Sequence, residues 1–198
     1  ISNPRTDSAP HELKFMATKY LSKTDYKRWQ FCPTSAHHGW QNQPTNQDCN
    51  SFLAYLAEEG KTIGALGRRL FANGKHITNP NPGQAEALTR AALKAEQVTL
   101  YEACLTHGDF VVRPDILLRK GDKLFVLEVK SKLGNLDWHR SGKMLVNMYG
   151  DVRAAFRDIV YDLAFQVVVL ERAFPGLEIV PYFLLPEETT EARGEEVA

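Results

Sequence analysis

The sequence predicts an α/β fold, and three observations carry that expectation. Between Val98 and Lys130 three β-rich runs follow one another with only short polar connections. Helix-compatible segments precede those runs. A long helix stopped by Pro175-Gly176, and then one more apolar run, follow them. After a glycine-rich helix the element order therefore reads α-β-β-β-α-β.

At 198 residues, 43% of them hydrophobic, the chain suits one domain with a substantial core. Its 24 basic and 24 acidic side chains give a formal net charge of +0, which excludes a uniformly basic nucleic-acid coat protein. Local basic clusters can still bind phosphate. Cys32, Cys49 and Cys104 are too few and too scattered for a disulfide scaffold. No apolar run approaches the roughly 20 residues that span a bilayer. Residues Ile1 to Pro10 are polar, without the apolar core of a signal peptide. No membrane association is expected, and the expected location is the cytoplasm.

Each element has its own signal. Leu13 to Gln30 is mostly helix-compatible, with Ser22 as N-cap for Lys23 to Gln30. Cys32-Pro33 opens a polar stretch to Asn50, a long loop or a broken helix, between which periodicity does not decide. Ser51 to Phe71 is predicted helical from Phe52, Leu53, Leu56, Ile63, Leu66, Leu70 and Phe71. Its Gly60, Gly64 and Gly67 weaken intrinsic propensity or else admit another element closely. Asn79 to Gly83 breaks the chain, and Gln84 to Gln97 is an alanine-rich helix. Val98–Leu105, Phe110–Arg119 and Lys123–Lys130 form the strands of an antiparallel meander. A polar stretch from Ser131 to about Gly150 leads into the helix Val152–Phe174, the strand Leu177–Leu185 and an acidic tail, Glu187–Ala198. The expected organisation is an N-terminal extension (1–50), a core (51–186) and the tail (187–198).

Strand alternation puts every second side chain on one face. Val98, Leu100, Glu102 and Cys104 then share a face, as do Val111, Arg113, Asp115 and Leu117 on the second strand. On the third strand Leu124, Val126, Glu128 and Lys130 do so. Each strand thus carries an acid on a partly apolar face, and the third adds a lysine. Adjacent carboxylates repel unless a cation lies between them, and hard oxygen donors suit Mg²⁺ or Mn²⁺. A nearby lysine can orient or deprotonate a water and offset charge on a phosphate. Pro114 removes a ladder donor just before Asp115, which predicts an edge, bend or bulge there.

Arg113-Pro114-Asp115, followed thirteen residues after the aspartate by Glu128-Val129-Lys130, resembles the PD-(D/E)XK nuclease signature. The element order is similar to that superfamily's core, and the chain most resembles its RecB-like branch, which includes the CRISPR-associated adaptation nucleases. Leu21-Ser22-Lys23-Thr24-Asp25-Tyr26, leading to Cys32-Pro33, is similar to the opening segment of those proteins. Asp162 and Gln166 on the long helix, with Tyr182 on the last strand, resemble their glutamine–tyrosine motif.

The resemblance implies a restriction-endonuclease-like core, with a central mixed sheet flanked by helices and an N-terminal helical extension. It implies a DNA nuclease in which Asp115 and Glu128 hold Mg²⁺ or Mn²⁺, the Val129 carbonyl adds a ligand and Lys130 is catalytic. Gln166 would orient a phosphate or a water. A catalytically weak module for nucleic-acid binding or protein interaction is the alternative. A partner protein, or a C-terminal region outside this chain, is left open. Where relatives carry Gly-x-x-x-His on the first core helix, Gly60 leads to Gly64. Glu102 is expected to supply the missing ligand, with Glu58 and Glu59 as alternatives. Relatives with an iron–sulfur cluster use one early and three late cysteines. Cys32 fits the first place but nothing after Cys104 fits the rest, so no cluster is expected.

Lys61, Arg68 and Arg69 on the first helix, and Lys132, Arg140 and Lys143 after the third strand, are candidates to track a nucleic-acid backbone. Trp138 and His139 lie among them as candidate base-stacking groups. His37-His38 lacks usual metal-ligand spacing.

Overall fold

The structure is a computed structural model that describes residues 19–41, 43 and 51–188. Two helices open the described chain, α1 (Lys23–Phe31) and α2 (Pro33–Trp40). They are followed by α3 (Ser51–Arg69), β1 (Lys75–His76), α4 (Pro82–Ala92) and β2 (Gln97–Tyr101). The middle of the chain forms β3 (Leu105–His107), β4 (Phe110–Val112), β5 (Ile116–Lys120) and β6 (Lys123–Val129). Last come α5 (Leu136–Arg140), a 3-10 turn at Ala154–Phe156, α6 (Arg157–Ala173) and β7 (Glu178–Leu184). The fold is mixed α/β. Its five-stranded sheet runs β1-β2-β5-β6-β7, while β3 and β4 form a separate hairpin.

Connection length decides the pairing. The β5–β6 hairpin closes over the two residues Gly121 and Asp122, with Gly121 at φ +61°. Such a short loop forces an antiparallel pair, and glycine adopts positive φ without steric cost. Between β6 and β7 the chain crosses over through α6, which permits the parallel pairing seen there. β1 is parallel to β2, and β2 is antiparallel to β5.

One face of the sheet presents Leu100, Leu117, Leu124 and Val126 to Leu163, Val169 and Leu170 of α6, all buried. Each such aliphatic side chain contributes about 1.5–3 kcal/mol when fully removed from water. The other face carries Tyr101, Ile116 and Leu127, with Phe71 packed against them at the end of α3. There the Tyr101 hydroxyl donates to the Phe71 carbonyl just past α3, with the Arg68 carbonyl of its last turn 3.2 Å away. At the N-terminal side, Ser22 and Asp25 form a capping box that starts α1. Leu21 bridges to Phe110, and the Tyr26 ring stacks on Phe165 of α6 at 5.3 Å. The opening segment is thereby seated against the long helix. Among the described residues, no helix is long and apolar enough to cross a membrane.

Several elements differ from the sequence expectation. The strand expected over Val98–Leu105 is interrupted, because Glu102 takes φ +53° and the chain leaves the sheet until β3. The strand expected over Phe110–Arg119 is split between β4 and β5 around Pro114, which lacks the N–H a continuous ladder needs. The meander is therefore β2, β5 and β6, with the β3–β4 hairpin to one side. α4 begins at Pro82 behind an Asn81 cap and stops at Ala92, short of the expected Gln97. Pro33–Trp40 is helical where periodicity left the matter open. β1 and α5 carried no sequence signal that was recognised. Of the acidic tail, residues 189–198 lie outside the described residues.

Close approach explains only one of the three α3 glycines. A Cβ at Gly67 would lie 3.0 Å from Leu184 and 3.1 Å from Val129, whereas a Cβ at Gly60 would meet nothing within 4 Å. Gly67→Ala should therefore lower stability by about 1–3 kcal/mol, through crowding against two side chains of the sheet. Gly60→Ala should raise it by roughly 0.5–1 kcal/mol, by removing glycine's entropy penalty in an exposed helix. Urea denaturation of the two variants checks both signs.

Candidate active site

The strand register brings the two central acids together. Ile116 pairs with Leu127, so the preceding Asp115 lies across from Glu128 at the same end of the β5–β6 ladder. Asp115 also accepts a hydrogen bond at Oδ2 from the Val129 N–H, at 2.7 Å. Lys130, just beyond β6, reaches back to Glu128 Oε1 at 2.7 Å and across to Asp162 Oδ2 on α6 at 3.0 Å. Gln166, one helical turn after Asp162, donates from Nε2 to Glu128 Oε2 at 2.6 Å.

A second layer comes from α1. Lys23 Nζ lies 2.5 Å from Glu128 Oε1, and Lys27 Nζ lies 3.4 Å from Asp162 Oδ2. These two lysines, one helical turn apart, face two acids more than a hundred residues away in sequence. Sequence reasoning missed both as site residues, although Lys23 lies in the opening segment that carried the family resemblance. No local spacing links position 23 to position 128.

Burial makes the cluster electrostatically strong. Glu128 is 1% exposed, Asp162 2% and Gln166 0%. Burial alone raises the Glu128 pKa, but the ammonium groups of Lys23 and Lys130 outweigh it and hold the carboxyl below its ordinary range. Asp115 behaves oppositely. Burial and the neighbouring Glu128 charge push it up to about 6, against the opposing Val129 N–H. Lys130 is partly desolvated, which lowers its pKa, yet Glu128 and Asp162 drive it above the ordinary lysine value. It is a fixed ammonium in this arrangement rather than a base.

Other candidate residues fall elsewhere. Glu102 donates its backbone N–H to the Asp115 carbonyl at 3.2 Å, so it lies beside the pair. Its positive φ breaks the alternation on which its expected face depended. Glu58 and Glu59 are exposed on α3, bound to Lys61 at 3.0 Å and to the Tyr55 hydroxyl respectively. Tyr182, 51% exposed, pairs with Leu127 and stacks on Phe125, across the sheet from Gln166 and Glu128. His37 and His38 are exposed on α2, edge to face. Cys104 is buried, its thiol pKa raised by burial, and Cys32 is partly buried. Cys49 lies outside the described residues.

Among the basic candidates, Arg69, Arg140 and Lys143 are exposed, Arg68 is partly buried and the Lys132 ammonium lies 5.1 Å from the Phe156 ring. Half-exposed Trp138 and exposed His139 stand on α5. The Trp138 ring is covered by the guanidinium of Arg153, a residue absent from the sequence candidates. A cavity of about 770 Å³ lies between α5, α6 and β7. It is lined by Leu163, Val167, Tyr182 and Leu185 among others, and none of the clustered acids borders it.

Whether the cluster suits a divalent cation rests on its donor set. Among the described residues, no three His, Cys, Asp or Glu side chains are grouped to hold a metal ion, and Glu102 does not complete such a trio. The donors at hand are nonetheless all hard oxygens. Asp162 Oδ1 and Gln166 Oε1 are buried without any hydrogen-bond partner, a costly condition that a cation or a water relieves. Hard oxygen donors are the kind that Mg²⁺ or Mn²⁺ takes, and Asp115 and Glu128 are the two acids that could hold one. No family model, curated protein or solved structure matches the chain.

The Asp115 shift has a testable sign. In chelator-treated protein the native state holds this proton more tightly than the unfolded chain does. Its stabilising effect is full near pH 4 and is lost as pH rises through about 6. Glu128, shifted down, adds stability above its ordinary range and loses it only in stronger acid. Asp115→Asn keeps an acceptor for Val129 and removes the titration. Its stability relative to wild type should rise by about 1–3 kcal/mol between pH 4.5 and pH 7.5, measured by urea unfolding. An offset independent of pH would refute the assignment.

Proposed function

We propose that the chain is a metal-dependent DNA nuclease with a restriction-endonuclease-like core, hydrolysing phosphodiester bonds. The observation that carries this reading is the Asp115–Glu128 pair on adjacent strands, Glu128 buried and Asp115 partly buried, with the Lys130 ammonium 2.7 Å from Glu128. The order α4-β2-β5-β6-α6-β7 supports it, as does the mixed pairing of β6 with β5 and β7.

Asp115, Glu128 and the Val129 carbonyl are the groups that would hold Mg²⁺ or Mn²⁺. When bound, such an ion supplies Lewis-acid polarisation of a phosphoryl oxygen and a water of lowered pKa. The chain's own residues do the rest. Gln166 clamps Glu128 Oε2 and fixes the carboxylate plane. Lys130, held protonated by Glu128 and Asp162, meets the charge that develops on phosphorus-bound oxygen. Its permanent charge assigns it electrostatic stabilisation rather than proton abstraction. Exposed Arg140 and Lys143, with Trp138 beside them on α5, are suited to contacts along a DNA backbone and its bases.

One observation favours a second reading, a nuclease-fold module that binds nucleic acid or protein without efficient cleavage. Both Glu128 oxygens are already engaged, Oε1 by two lysines and Oε2 by Gln166. The readings separate in melting, cleavage and DNA-binding measurements. For the nuclease, Mg²⁺ or Mn²⁺ should raise the melting temperature, and the double variant Asp115→Ala, Glu128→Ala should abolish that rise. Lys130→Ala should slow single-turnover DNA cleavage on the order of 100-fold while leaving the DNA dissociation constant within a few-fold. Lys143→Ala should weaken binding and flatten its salt dependence with little effect on the saturated rate. DNA binding by wild type without cleavage, and without a metal-induced rise in melting temperature, would favour the module.

A further inference from the structure

Three acids, Asp115, Glu128 and Asp162, face three partly exposed lysines, Lys23, Lys27 and Lys130. Lysine ammonium groups already meet Glu128 Oε1 and Asp162 Oδ2, so a divalent cation that takes Glu128 competes with a lysine for its oxygens. The three lysines are not equally able to leave. Lys130 bridges two buried acids, at 2.7 and 3.0 Å, from the end of a central strand. Lys27 makes only a loose pair at 3.4 Å with Asp162. Lys23 has one acidic partner, Glu128 Oε1 at 2.5 Å, and its side chain remains 27% exposed.

Lys23 is also anchored by its backbone rather than by its side chain. It begins α1 directly after the N-cap Ser22, within the Ser22–Asp25 capping box. Leu21 is tied to the β4 region through Leu21 N to the Asp109 carbonyl at 2.7 Å, and Val111 N to the Leu21 carbonyl at 3.0 Å. The α-carbon is thus held near the site while a four-carbon stem leaves the ammonium free to swing into solvent.

We infer that Lys23 is a tethered cation that occupies Glu128's side of the site until a divalent cation displaces it, so that it gates metal entry. The inference rests on the reading that Asp115 and Glu128 hold such an ion. In the metal-free protein Lys23 offsets the charge of a carboxylate that is 1% exposed. With the ion in place the same carboxylate has a stronger partner, and the Lys23 ammonium swings outward, placed to meet a substrate phosphate at the mouth of the site. A lysine of purely structural role would stay paired in both states.

The test is a melting comparison of wild type and Lys23→Met, each in chelator and in saturating Mn²⁺. Lys23→Met should melt lower than wild type without metal, and the gap should close or reverse with Mn²⁺. Its apparent Mn²⁺ dissociation constant, from calorimetric titration, should fall by about tenfold or more, because no tethered competitor remains. Lys27→Met, which removes a nearby charge from a different acid, should shift that constant by less. A measurement on unaltered protein covers the case in which Lys23→Met does not fold. Acylation of Lys23 by an amine-reactive ester, followed by peptide mass spectrometry, should accelerate several-fold on adding Mn²⁺. If Mn²⁺ binding depends on Asp115 and Glu128 yet the melting gap persists and Lys23 reactivity is unchanged, the gate is wrong and the metal reading stands. If Mn²⁺ does not bind, or binds equally well after Asp115→Asn with Glu128→Gln, the metal reading falls and the gate falls with it.

Discussion

A carboxylate removed almost wholly from water must be compensated where it sits, and at Glu128 this requirement draws together three separate parts of the chain. The side chain belongs to β6 and is bonded by Lys130 from the same strand end, Gln166 from α6 and Lys23 from α1. Oε1 is shared by the two lysines, whereas Oε2 has Gln166 as its partner. The position of α1 against α6, stacked through Tyr26 and Phe165, is in turn what allows Lys23 to reach. The opening segment is therefore part of the site's electrostatics as well as a wrapping on the core.

The break in the second strand is the other constraint. Pro114 ends β4 pairing and lets β5 start at Ile116, so Asp115 stands at the mouth of the ladder rather than within it. There its carboxylate can accept the Val129 N–H and lie beside Glu128. Burial and like charge together lift its pKa, while Glu128, with two lysines, is lowered. Two acids of similar intrinsic strength are thereby held in different protonation regimes by their surroundings.

Long-range packing also separates residues that local spacing groups together. Asp158, Asp162 and Gln166 lie at helical spacing along one side of α6. Asp158 is exposed, whereas Asp162 and Gln166 are buried beneath α1 and against β6. The amphipathic pattern of α6 identifies the apolar side toward Leu124 and Val126. It carries no information about a second element covering the polar side.

The sequence by itself determined the α/β class, the three-strand run, the long helix before the last strand, and the proximity of Asp115, Glu128 and Lys130. Those features follow from short-range physics: period-two alternation, two-residue turns and proline's missing donor act within a few residues of where they are written. Only the tertiary structure decided that Glu102 leaves the strand, that Tyr182 lies on the opposite face from Gln166, and that Lys23 and Lys27 close over the acids. Each of these depends on how elements far apart in sequence stack and on which buried charge demands a partner. No local pattern encodes that, because Coulomb attraction and burial are set by distance in space and not by separation along the chain.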